Sequence, residues 1–266
     1  MELVDVLFHA LGLVYVTFMM ALGALTLKAA RAMEDRRASI FGAGLLAIGV
    51  GDCSHVVGHI LADLYGGLSK EPMGPPNWAD AYEALSTAIS VSLATFFFLT
   101  IQLYASLSRR EELGKLDKAM MGVTALAFIS AFLNWAFLQA YQGLYLKLLK
   151  AEGVLPAHPE VLATMAIAVL AMVLVGYVGC FSFLRLARER RVSSDPVMAK
   201  RYEYAFWGML LMVVAVTLVL AHPFLTGFKL AMRVVTALKI LMLMTATALT
   251  YLGIVGPRWF VERIRA

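Results

Sequence analysis

Gly-Val-Gly-Asp-Cys-Ser-His-Val-Val-Gly-His-Ile-Leu-Ala-Asp, residues 49–63, ends an apolar run over 39–63 that is long enough to cross a bilayer. At 100° per residue, Asp52, His55, His59 and Asp63 stay within a narrow arc of one helix face. Ionisable groups at membrane depth are expensive and face a bundle interior or a wet cavity, so this stripe marks a site as well as a span.

Working outward, the chain is 61% hydrophobic and 15% charged, with mean hydropathy +0.78, far from a soluble domain. Apolar runs at 5–27, 39–63, 82–106, 119–142, 159–184, 203–223 and 231–256 predict an all-α, seven-helix integral membrane bundle forming a single domain over 1–266. The first run opens with Glu2 and Asp5, lacks a basic leader and a small-residue cleavage site, and reads as a retained helix.

Segments 28–38, 106–118, 184–201 and 257–266 hold 17 of the 23 Lys and Arg residues, against five on the other side and Lys239 within a span. Basic segments stay inside, so the N-terminus is expected outside, the C-terminus in the cytoplasm, and the protein in the cytoplasmic membrane as a multi-pass chain. The net charge of +5 then suits anionic headgroups, with a cytoplasmic partner expected on the basic connections. Nucleic acid is excluded as a partner, because the basic residues alternate with acids and Ser and lack interleaved aromatics. Cys53 and Cys180 both fall in spans and imply no disulfide framework. The loop 64–81 carries Tyr65, Trp78 and Tyr82, suited to the headgroup layer, and 143–152 reads as an amphipathic extension.

Two further helices carry polar faces. Asp80, Glu83, Thr87 and Ser90 follow helical spacing on the third, and Lys229, Arg233, Thr236, Lys239, Thr247 and Thr250 follow one broad face of the seventh. His9, one turn below Asp5, and His222 add to the outer half, His158 lies in an outer loop, and Asn134 and Gln139 can bond inward. The expected ligand-binding set is Asp52, Glu83, Lys239, Arg233 and Asn134, in a pocket facing outward. The i,i+4 pair His55 and His59, completed by His9 or His222, is the expected metal set, with zinc as the candidate ion. Asp52 and Lys239 can equally form a buried ion pair, and the same groups can relay protons or hold a headgroup. Met19-Met20 and Met242-Leu-Met244 suggest copper, and His9 with His59 suggests haem, but Met and Phe at helical spacing more often pack a core.

Gly51-Asp52-Cys53-Ser54-His55 with the Ser/Thr-rich helix from Tyr82 to Leu103 resembles uncharacterised prokaryotic seven-helix membrane proteins, which implies no activity. Ser54 beside His55 and acids on helix three resemble the zinc-dependent membrane amidases related to adiponectin receptors and alkaline ceramidases. That resemblance implies metal-dependent hydrolysis of a lipid amide or ester, although helix seven lacks the family's His pair. The topology, length and helix-seven Lys are similar to microbial rhodopsins. That implies retinal on Lys239 with Asp52 or Glu83 as counter-ion, although Trp207 and Pro223 stand at opposite ends of helix six rather than in its middle. Binding or sensing of a metal ion or small ligand leads, ahead of the hydrolase and of a proton-coupled transporter, because no nucleophile, base and orienter are demanded by spacing.

Overall fold

The computed structural model describes residues 3–65, 78–109, 113–140, 159–193, 195–218 and 229–265. Among them the chain is entirely helical: α1 (Leu3–Ala32), α2 (Arg36–Leu64), α3 (Trp78–Leu107), α4 (Lys115–Ala140), α5 (Pro159–Val192), α6 (Pro196–Thr217), α7 (Lys229–Ile254) and the short α8 (Arg258–Arg265). Six are long and apolar enough to cross a membrane, in α1, α2, α3, α4, α5 and α7, which suggests a multi-pass membrane protein. The sixth expected span differs. Its helix begins at Pro196 rather than 203 and carries Lys200, Arg201 and Glu203 in its first two turns, and residues 219–223 of the expected run lie outside the described residues. The extension expected at 143–152 and most of the loop expected at 64–81 also lie outside them.

Local chemistry sets the helix ends. Asp35 caps α2 by accepting from the backbone N–H of Arg37 and Ala38, and Asp195 caps α6 by accepting from that of Met198, with Pro196 in the first turn. At the end of α7, Gly256 takes φ +58, a conformation costly for other residues, and Pro257 forbids continuation, so the chain turns into α8.

Successive helices pack side by side from α1 to α7, and α7 returns against α1 to close the ring. The third helix is the most enclosed, packing on α2, α4 and α5. Phe97, Phe98 and Ile101 of α3 are fully buried with Phe41, Leu45, Phe183 and Met209 in one core. Because neighbours are antiparallel, the turns bearing most of the Lys and Arg gather at one end, the basic end of the bundle.

Gly44, Gly51 and Gly58 recur every seventh residue of α2 and face α3. A Cβ at Gly51 would stand 3.2 Å from the Cα of Ser90, and one at Gly58 3.2 Å from the Cα of Glu83. Only hydrogen fits along that seam, so the two backbones approach closely and short polar side chains beside it can reach across.

Candidate functional site

The α2–α3 seam positions a ladder of polar pairs away from the basic end. Its first rung is His59 Nδ1 against Glu83 Oε1 at 2.8 Å. One turn further in, Thr87 Oγ1 lies 3.4 Å from His55 Nδ1, and the Nε2 atoms of His55 and His59 face each other at 3.1 Å. Deepest, Ser90 donates to Asp52 Oδ1 at 2.7 Å, while Tyr15 of α1 donates to Asp52 Oδ2 at 2.9 Å. A side pair joins Ser54 and Tyr82 through their hydroxyls at 3.3 Å. The three rungs step together, 59 to 55 to 52 on α2 and 83 to 87 to 90 on α3, as antiparallel helices in one register require.

Thr87 also donates to the Glu83 carbonyl at 3.0 Å, so the upper rungs are linked to one another. The direction of the bonds between the two Nε2 atoms and between His55 Nδ1 and Thr87 follows the tautomers of the two rings. The His59 side chain is 46% exposed and that of Glu83 23%, so the ladder reaches the surface at this rung.

Lys239 of α7 approaches the lowest rung from across the bundle. Its ammonium is within electrostatic range of the Asp52 carboxylate. Yet the two form no contact ion pair, and Lys239 has no hydrogen-bond acceptor among the described residues. Asp52 is instead held by two neutral hydroxyls on other helices. The arrangement separates an ammonium from a carboxylate at membrane depth, each able to meet a group of opposite charge.

The structure thus brings Asp52, His55, His59, Glu83 and Lys239 to one side of the bundle. Asn134 does not join them. Its amide donates to the Val161 carbonyl at 2.7 Å and to Thr164 at 3.2 Å, tying α4 to α5. His9 lies on α1, just under two turns from Tyr15. His158 and His222 lie outside the described residues, as do the side chains of Asp5, Asp63, Asp80, Gln139, Lys229 and Arg233.

Among the described residues no group of three His, Cys, Asp or Glu side chains stands together to hold an ion. Of the expected metal set, His55 and His59 bring their Nε2 atoms within 3.1 Å and Glu83 takes the opposite nitrogen of His59, while His222 lies outside the described residues. Both ring nitrogens of His59 have partners, and Met19 is buried in the core as an acceptor for Thr247.

Tyr15 and the glycine seam had no place in the sequence reading of the site. A Tyr among apolar neighbours reads as core, but the seven-residue glycine repeat was a visible signal. No protein-family model, curated protein or solved structure matches the chain.

Proposed function

We propose that this chain is a seven-helix protein of the cytoplasmic membrane, N-terminus outside, whose polar site between α1, α2, α3 and α7 binds a small anionic or zwitterionic ligand from the outer side. It acts in sensing or carriage. The observation that carries this reading is Lys239, an ammonium at membrane depth with no acceptor and no contact partner among the described residues. Placing such a donor there costs free energy unless an acceptor arrives. A ligand carboxylate on Lys239 and a ligand ammonium toward Asp52 would supply both missing partners. With short connections at the basic end, a sensing role needs a partner protein there, and anionic lipid complements its charge.

A thermal-shift screen of the detergent-purified chain against amino acids, small carboxylates and phosphates tests the proposal. The expected result is one class that raises the melting temperature of the parent and leaves Lys239→Met unmoved. No active class, or equal shifts in the variant, would overturn it. Aldehydes belong in the screen, because the Lys239 amine, once it gives up its proton, can condense with an aldehyde to an imine with loss of water, the imine's charge then facing Asp52. A visible absorbance band with retinal would mark that form. The His59–Glu83 pair with His55 behind it favours a proton-coupled carrier as the second reading.

Orientation is tested separately with single cysteines at Tyr65 and Ser193, both exposed, in a Cys53→Ala, Cys180→Ala background. An impermeant maleimide should label the Tyr65 site on intact cells and the Ser193 site only after permeabilisation. The reverse pattern would invert the topology.

A further inference from the structure

At the basic end, a cavity of about 270 Å³ opens between the turn before α2, α3, the last turns of α5, the first turns of α6 and the end of α7. It is lined by Asp35, Arg37, Tyr104, Arg190, Arg201 and Tyr202 among others, so three guanidiniums meet one carboxylate. One oxygen of that carboxylate is committed. Asp35 Oδ1 accepts from two backbone N–H groups and from Arg37 Nε at 3.2 Å.

The other lining groups hold donors in reserve. Arg190 makes no ion pair or hydrogen bond through its guanidinium with any described residue, although it is half-buried. Arg201 spends Nε and one terminal nitrogen on the Gly253 and Ile254 carbonyls, at 3.3 and 2.6 Å, capping α7. Its other terminal nitrogen has only the Met198 thioether at 3.3 Å, a weak acceptor. Tyr202 is 2% exposed, yet its hydroxyl has no partner among the described residues and is not sealed from the cavity. Three incomplete donor sets thus face one polar cavity that water can enter, where an anion with several acceptor oxygens can take the place of water on all three.

We infer that this cavity binds a phosphate group through Arg190, the free edge of Arg201 and the Tyr202 hydroxyl. Tetrahedral oxygens match forked guanidinium donors, and the excess of two positive charges selects an anion. The volume gives room for a phosphate and the atoms next to it. Two sources share this chemistry: a soluble phosphate, and the phosphomonoester headgroup of phosphatidic acid. Either would tie α5, α6 and the capped end of α7 together.

The experiment is thermal denaturation of the full chain with sodium phosphate against sodium chloride at matched ionic strength. It is repeated in nanodiscs of phosphatidylcholine with and without phosphatidic acid, alongside equilibrium binding of ³²P-phosphate. A saturable rise in melting temperature in at least one arm is expected. A rise with phosphate identifies the soluble source, and a rise only in phosphatidic acid discs identifies the lipid. Arg190→Gln, which removes no bond among the described residues, should melt like the parent without ligand and lose the rise. Tyr202→Phe should weaken the affinity about tenfold, as expected for one hydrogen bond to a charged group. No saturable rise in either arm, or a rise that Arg190→Gln retains, would overturn the assignment.

Discussion

Lys239→Met should melt at or above the parent in the absence of ligand, while Asp52→Ala melts well below it. The first expectation follows from what Lys239 lacks: with no acceptor and no contact ion pair among the described residues, its removal costs only a distant attraction and removes an ionisable group that is expensive at membrane depth. The second follows from what Asp52 holds. Two hydroxyls from two other helices converge on it at 2.7 and 2.9 Å, and truncation strands both. Losing them costs about 3–6 kcal/mol, since hydrogen bonds to charged groups are worth about 1.5–3 kcal/mol each. At about 2–4 °C per kcal/mol for large domains, the midpoint should fall by about 6 °C or more. Scans at one fixed rate make the comparison valid for a protein that unfolds irreversibly in detergent. A structural ion pair would behave otherwise. Lys239→Met alone would then be strongly destabilising, and adding Asp52→Asn would recover much of the loss. The double-mutant cycle reads the difference, and additive effects reject direct coupling of Asp52 with Lys239.

Gly208→Ala and Gly253→Ala should each lower the midpoint by several degrees, and the corresponding Leu variants should fail to assemble. An added Cβ at Gly253 would stand 2.5 Å from both the Ala205 nitrogen and the Arg201 carbonyl oxygen; at Gly208 it would stand 2.6 Å from the Ala246 oxygen. These are backbone atoms, which cannot rotate aside, so α6 and α7 must separate. Overpacking of this kind costs about 1–3 kcal/mol per site, and here it also pulls Arg201 from the carbonyls it caps. Gly122 is the control. Nothing lies within 4 Å of a Cβ there, so Gly122→Ala should hold or gain up to about 1 kcal/mol from helix propensity. Equal melting of all three variants would mean that the α6–α7 approach is not as close as described.

Legibility in the sequence followed what each inference required. The long apolar runs and the arc of Asp52, His55 and His59 needed only the helical period, and the same holds for Glu83, Thr87 and Ser90. Pairing across helices needed knowledge of neighbours. Asn134 sits at a polar depth similar to the site, yet α4 packs on α3 and α5, so its amide serves α5. Spacing brought His55 and His59 together but carried no information on ring orientation, which is what sets their Nε2 atoms 3.1 Å apart. The sixth span was placed by its apolar middle, whereas Asp195 and Pro196 start the helix two turns earlier and draw three charges into it.

The short helix α8 also acts as a depth gauge. Phe260 is buried against Tyr204 with ring centroids 5.0 Å apart, while Trp259 is 60% exposed beside Arg258, a layout suited to a headgroup boundary if the helices span a bilayer. From there α7 runs unbroken, so Lys239 is carried to a fixed height of about 22 Å above Ile254 at 1.5 Å per residue. In hydrocarbon about 30 Å thick this leaves Lys239 about 8 Å short of the far boundary. A bilayer a few Å thinner brings its ammonium within snorkelling reach of water, and a thicker one strands it. Acyl-chain length of the host membrane would therefore become a dial on how readily this lysine stays charged and, under the proposed function, accepts a ligand.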